Sequence, residues 1–276
     1  MHYYRSASRR QTKDGSDIAT LRAVHVEHPF YGVARLAIHL GWSEAKTRRI
    51  RNLSGIVVPT ASKRHRYRKG GKPEIIAPPN ILHSYAVPKD QTRPQDGMDY
   101  SGMTRSGAWV QDFTYIQFHG SWYYLAGVLD LKTRQIVGWR LGSNHSAELT
   151  YTAVLNALSK HEPPAILHSD QGSEYLSYRH QELCAKLEIQ LSASGRGKPW
   201  QNGFMERWFG GFKSEIGDIT KLKDIAELHE KIALRIFYYN HKRIHTALRM
   251  SPVAYAAKLM RLPAQRKDKV LQKVRG

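Results

Sequence analysis

Among 276 residues there is one cysteine, Cys184, so no disulfide can close within the chain and no thiolate metal cluster can be completed. No run of ~18 apolar residues occurs, which excludes a membrane-spanning helix of the usual kind. The opening residues, Met1-His2-Tyr3-Tyr4-Arg5, lack the apolar stretch of a secretory signal, and with the single thiol they lead to the expectation of a reducing, cytoplasmic setting. Acids are the other scarcity: 23 Asp and Glu stand against 43 Lys and Arg, leaving a net charge of +20. A chain so short of negative charge attracts polyanions, nucleic acid before an acidic membrane surface. No internal repeat is present, and 41% hydrophobic residues supply a sizeable core, which excludes global disorder.

The positive charge is uneven. Residues 1–72 hold sixteen Lys or Arg against four acids, +12 of the total. Within 1–58, apolar spacing of three to four predicts short helices over Asp17 to Glu27, Phe30 to Leu40 and Ser43 to Leu53. Gly41-Trp42 breaks the chain, and Ser43 is positioned as an N-cap. Helix, Gly-containing turn, then a helix carrying Lys46, Arg48, Arg49 and Arg51 predicts a helix-turn-helix DNA-binding domain. The alternative is a small helical bundle with a solvated basic face. Residues 59–95 read as a linker: Lys63, Arg64, Arg66, Arg68, Lys69 and Lys72 have no acid among them, and Pro73, Pro78, Pro79, Pro88 and Pro94 follow.

From about residue 107 the period changes. Trp109–Ile116, Trp122–Leu129 and Gln135–Leu141 predict three antiparallel strands. A helix over Ala147–Leu158, a strand at Ile166–His168, a helix over Tyr178–Leu187 and a strand at Ile189–Ser192 follow. Helices over Trp200–Ile216 and Ile225–Tyr239 complete the pattern. The expected fold class is α/β, a five-stranded mixed sheet flanked by helices over residues 96–257, with a basic tail from 258 to 276.

Three of the scarce acids fall in unlike settings: Asp112 within a strand, Asp170 at a strand end and Glu206 on a helix, with 35 residues between the last two. Strands one and four as neighbours would bring the two aspartates to one place, and a helix packed there would add the glutamate. At ~4 Å and an effective dielectric of ~20, each like-charge pair costs about 4 kcal/mol, so a gathered trio implies a counter-charge. Two divalent cations, Mg²⁺ or Mn²⁺, prefer such oxygen donors and suit phosphodiester chemistry. Asp99, Asp130, Glu174 and Glu215 compete for the role, and any single acid is more ordinarily a cap or a surface charge.

The motifs around these acids are Trp109-Val110-Gln111-Asp112-Phe113-Thr114-Tyr115, His168-Ser169-Asp170-Gln171-Gly172-Ser173-Glu174-Tyr175 and Asn202-Gly203-Phe204-Met205-Glu206-Arg207-Trp208-Phe209-Gly210-Gly211-Phe212-Lys213. A fourth is Tyr239-Asn240-His241-Lys242-Arg243-Ile244-His245-Thr246-Ala247-Leu248, and the N-terminal region contributes Tyr31-Gly32 and Leu36. On these the chain resembles the DDE-type insertion-sequence transposases, in particular the second-reading-frame product of insertion-sequence family three, with a retroviral-integrase-like core.

The resemblance implies a ribonuclease H-like fold and an enzyme that cleaves DNA at the ends of an insertion sequence and transfers the strand. By the same resemblance Asp112, Asp170 and Glu206 are the metal-binding catalytic triad, and Asn202 and Lys213, one turn before and two turns after Glu206, touch DNA. The implied partners are double-stranded DNA (terminal inverted repeats and target), further copies of the chain, and an upstream-frame DNA-binding protein or a frameshift fusion with it, in the nucleoid-associated bacterial cytoplasm. Trp200-Gln201 departs from the small or acidic residues expected there. His25-Val26-Glu27-His28 imitates half of a zinc module that one cysteine cannot complete. Two other readings stay open from the residues: a non-catalytic DNA-binding protein, and a structure-selective nuclease that would not need residues 1–58.

Overall fold

In the computed structural model, residues 2–58, 77–85, 87–88, 98–99, 107–196 and 198–261 are described. Most of the expected basic linker, and the tail from residue 262, lie outside them. The amino-terminal unit comprises α1 (His2–Glu27), α2 (Val33–Leu40) and α3 (Glu44–Ser54). Its first helix begins fifteen residues earlier than the apolar spacing predicts. The α2–α3 turn forms as expected. Gly41 takes the left-handed conformation (φ 65°) that closes α2, and the Ser43 hydroxyl accepts the Lys46 amide at 3.2 Å to open α3. Leu21, Tyr31, Leu36 and Ile50 are buried in this part of the molecule.

Next come α4 (Ile81–Ser84) and the short antiparallel pair β1 (Val87–Pro88) and β2 (Met98–Asp99). The main sheet is built from β3 (Ala108–Phe118), β4 (Ser121–Asp130), β5 (Ile136–Gly142), β6 (Ile166–Ser169) and β7 (Gln190–Ala193), with α5 (Ala147–Leu158) and α6 (Tyr178–Lys186) as crossovers. Helices α7 (Gly203–Glu215), α8 (Ile225–His241) and α9 (Pro252–Arg261) are the last elements among the described residues. Strand order is β5-β4-β3-β6-β7; β3, β4 and β5 are antiparallel, whereas β6 and β7 run parallel to β3. The expected mixed sheet therefore forms, with β3 at its centre.

Alternation along β3 sorts its side chains between two cores. Ala108, Val110, Ile116 and Phe118 join Leu125, Met205, Trp208, Phe209, Leu228 and Ile232 on the face covered by α7 and α8. Trp109 joins Ala126, Val128, Val154, Leu167 and Cys184 on the face covered by α5 and α6. Each such aliphatic or aromatic side chain contributes about 1.5–3 kcal/mol on burial. His119 (φ 45°) and Gly120 (φ 78°) both adopt positive φ, the two-residue turn whose twist matches the β3–β4 hairpin. Two segments depart from expectation. Within the linker region, α4 places Leu82 in the main core, 1% exposed, so this part packs against the sheet. The last helix runs to Arg261, three residues past the expected start of the tail, because Tyr255 and Leu259 pack on Leu248.

Candidate active site

Asp112 lies at the middle of the central strand. Its partner in the β3–β4 register is Gly127, and a Cβ on that glycine would stand 3.1 Å from Met205 and 3.5 Å from Trp208 of α7. Directly opposed residues of an antiparallel pair share a face, so Asp112 belongs to the face that α7 covers. The parallel β3–β6 register runs Ala108↔Ile166, Trp109↔Leu167, Val110↔His168. Continued by two residues it sets Asp170, immediately after β6, beside Asp112, and adjacent strands lie ≈4.8 Å apart.

Tyr175, buried to 1% exposure, connects these two acids. Burial foremost, and then the charges of Asp112, Asp170 and Glu174, hold its hydroxyl well above the ordinary range, so it stays protonated. It approaches Asp112 Oδ1 to 3.5 Å, a long contact. The Phe113 amide donates to the same oxygen at 2.8 Å, and the Gly172 amide donates to Asp170 Oδ1 at 2.9 Å. Just upstream of Asp170, His168 is fully buried between Ser192 and Ser194, each hydroxyl 2.9 Å from one ring nitrogen. Burial lowers its pKa to about 4, so the neutral ring ties β6 to β7.

Helix α7 is tied to the peptide before Asp112 through the residues that precede it. Pro199–Asn202 form a 3-10 turn, so α7 begins at Gly203 instead of Trp200. Gln201 Oε1 accepts the Gly195 amide at 2.6 Å and the Asn80 side-chain amide at 2.7 Å. Asn202, 4% exposed, donates through Nδ2 to the Gln111 carbonyl at 3.1 Å, the carbonyl of the peptide that leads into Asp112. Glu206 sits one turn further on, about 6 Å along the axis and partly buried. Gln201, noted as a departure in the sequence, is thus a clamp. Its role, like those of Tyr175, His168 and Gln111, was not assigned from sequence, although three of these residues lie inside the quoted motifs.

Among the described residues, no three His, Cys, Asp or Glu side chains are gathered tightly enough to hold an ion unaided. The donors near Tyr175 are nonetheless all carboxylate oxygens, and Mg²⁺ is typically held by one or two carboxylates with phosphate oxygens and waters completing its shell. The donor chemistry fits a hard cation of that kind. Lys213 is exposed in the last turn of α7. On α3, Lys46 pairs with Asp17 at 2.8 Å and lies 3.9 Å from the Trp42 ring centroid, and Arg49 bonds Asp14 in bidentate fashion at 2.6 and 2.8 Å. Arg48 is exposed and Arg51 partly so.

Comparison with known proteins bears on the family and the fold. Two families described as Integrase core domain match residues 104–199 and 187–252. A transposase for insertion sequence element IS904 from Lactococcus lactis is 28% identical, over 89% of this chain and 94% of that protein. This chain belongs to the DDE-type insertion-sequence transposases. A putative transposase InsK for IS150 from Escherichia coli K12 is 27% identical, over 84% of this chain and 79% of its own length. A chain of the simian T-cell lymphotropic virus intasome, solved in complex with PP2A regulatory subunit B56 gamma, superposes with a TM-score of 0.50 at 16% identity. It covers 88% of this chain and 75% of that one. That likeness concerns the fold: a ribonuclease H-like core follows an N-terminal helical unit in this transposase. Among its described residues no helix is long and apolar enough to cross a membrane.

Proposed function

We propose that this transposase cuts DNA at the ends of an insertion sequence and joins the freed 3′-hydroxyl to a second strand, with Asp112, Asp170 and Glu206 as the acids at the reacting phosphate. The observation that carries the assignment of residues is the pairing of Asp112 and Asp170 through one register and one buried tyrosine, with α7 pinned to the peptide before Asp112. Divalent cations, when bound by these carboxylates, would supply Lewis acidity at the attacking and departing oxygens. The protein's own contributions follow from its contacts. The Phe113 and Gly172 amides orient one oxygen of each aspartate. The protonated Tyr175 hydroxyl faces Asp112 without competing as an anion. The Gln201 and Asn202 bonds set where α7 starts, and hence where Glu206 stands.

DNA, both element end and target, is the partner that the +20 charge and the basic amino-terminal unit support. In this reading Arg48 and Arg51 face phosphates, Lys46 and Arg49 act mainly by holding α3 against α1, and Lys213 lies along the DNA path from the acids. Copies of the chain assemble on the two ends, together with an upstream-frame protein or as a fusion with it, on the bacterial nucleoid.

The test uses duplexes carrying the inverted repeats that flank the gene. Asp112→Asn, Asp170→Asn and Glu206→Gln should each abolish Mg²⁺-dependent cleavage and joining while leaving binding intact. Deleting residues 1–58 should cripple end recognition. Wild-type-like joining by any of the three acid variants would refute the assignment.

A further inference from the structure

The amino-terminal unit does not merely precede the core; it is bonded to the segment that follows α8 and to the far end of α7. The Ile244 amide donates to the Tyr31 hydroxyl at 2.8 Å, and that hydroxyl lies 3.4 Å from the Lys242 carbonyl. Arg35 of α2 donates through Nε to the Ile244 carbonyl at 3.1 Å. His28 stacks on Tyr31, ring centroids 4.3 Å apart, and its Nδ1 meets the Tyr238 hydroxyl at 2.6 Å. Below these bonds sits Glu215, the last residue of α7 and 8% exposed. Arg243 grips both its oxygens (2.6 and 2.8 Å), Arg235 pairs with Oε2, and Arg35 reaches within 3.8 Å of Oε1. Arg235 also lies over the ring of Phe30, 5.3 Å from its centroid.

Two parts of the motif pattern are thereby explained by one contact. Tyr31 belongs to the N-terminal motif and Arg243-Ile244 to the C-terminal one, and here they meet. The contact joins α2, which leads into the basic helix α3, to the helix whose first turn carries Glu206. Glu206 and Glu215 are nine residues apart, about 13.5 Å along a single helix.

We infer that Tyr31, Arg35 and Glu215 are positioning residues that fix the distance between the DNA sequence seated on α3 and the phosphodiester presented to the acids. The inference rests on the proposed reaction but adds a claim of its own: the choice of bond is set by the lock between the two units, with α7 as its ruler. A bond offset by one nucleotide is several ångströms away, and an ångström of misplacement already costs up to about 10²-fold in rate.

The experiment compares the full-length wild type with Tyr31→Phe/Arg35→Gln, a pair that keeps the buried ring and leaves Glu215 with Arg235 and Arg243. A 5′-labelled duplex carrying the terminal inverted repeat that flanks the gene serves as probe. Hydroxyl-radical footprints are recorded without divalent metal, and cleavage positions are mapped with Mg²⁺. The wild type should protect two tracts at one fixed spacing and cut one bond. The double variant should keep the tract due to α3, lose or smear the inner tract, and spread cleavage over neighbouring bonds, with the original bond cut roughly tenfold to 10²-fold more slowly. Faster amide exchange at Ile244, with the folded fraction unchanged, separates a loosened lock from a misfolded chain. Unchanged tract spacing together with a single wild-type cut would overturn the inference. If no form of the protein cleaves, the proposed reaction fails, and the tract spacing alone still decides the lock. Should the double variant unfold, Tyr31→Phe alone, which removes one hydroxyl, carries the same footprint comparison.

Discussion

The centre of the sheet and the basic helix α3 each concentrate charge, and they use it differently. At the sheet centre, Asp112 and Asp170 each accept a backbone amide, and the neutral Tyr175 hydroxyl approaches Asp112. On α3, two of the four cations singled out from the sequence already have carboxylate partners on α1: Lys46 with Asp17 and Arg49 with Asp14. A run of positive charge is thus divided between fixing a helix in place and facing outward, whereas Asp112 and Asp170 both lie near the buried Tyr175. Charge type alone does not separate these roles. Position in the fold does.

The sharpest way to break the comparison is at the acids. Asp112→Asn, Asp170→Asn and Glu206→Gln should each lower strand cleavage by about 10³-fold or more, roughly 4 kcal/mol in the barrier at about 1.36 kcal/mol per decade. Retained activity in single-turnover assays would remove these acids from the site. Next is Asn202→Ala, which leaves the buried Gln111 carbonyl without its donor. It should cost on the order of 1–3 kcal/mol of stability by urea unfolding. Cleavage should fall while DNA affinity holds, because α7 starts from a looser anchor.

A pH effect of similar size follows from buried histidines. Burial lowers His180 to about 4, and burial together with Arg134, Arg243, Arg35 and Arg207 lowers His245 to about 3. Both rings are neutral when folded but take a proton near pH 6.5 when unfolded. Their contribution is complete above about pH 6.5 and is lost as pH falls from there toward their folded values. At full loss the contribution is on the order of 3 kcal/mol for His180 and about 5 kcal/mol for His245, as upper bounds. Unfolding free energies at pH 7.0, 5.5 and 4.5 should fall steadily, and His180→Gln should flatten the slope; an unchanged slope would contradict its assignment as a buried neutral ring. The smallest effects are expected on α3. Arg48→Ala and Arg51→Ala should each reduce the salt dependence of DNA binding by about one counterion, whereas Arg49→Ala should leave that slope nearly unchanged. Equal slopes for all three variants would mean that the pairing with Asp14 gives way when DNA binds.

Much of the fold was legible in the residues, for physical reasons. Trp109 to Leu141 is rich in β-branched and aromatic side chains broken by turn residues, and the strands and hairpins formed there. Ala147–Leu158 matches the expected helix to the residue. The acids could be singled out because each sat at the middle or end of a regular element. What the pattern did not reveal depends on contacts between distant parts of the chain. Leu82, in a proline-rich stretch that reads as linker, is buried because it packs into the core on the sheet face that α7 and α8 cover. Asn202 reads as a residue reaching DNA, yet it is buried against the Gln111 carbonyl 91 positions earlier. Glu215 shares a helix with Glu206 and competed with it for the same role, but three arginines from other elements claim it. Periodicity reports which side of an element is apolar; it carries no information about which distant polar group will meet which.

Crystallographic anomalous scattering from Mn²⁺ soaked into the full chain bound to its element end tests the central claim most directly. The account predicts manganese within roughly 2 Å of carboxylate oxygens of Asp112 and Asp170, with Glu206 turned toward the same ions and the scissile phosphate bridging them. Manganese elsewhere on the protein, with these three carboxylates remote from the scissile phosphate, would contradict it.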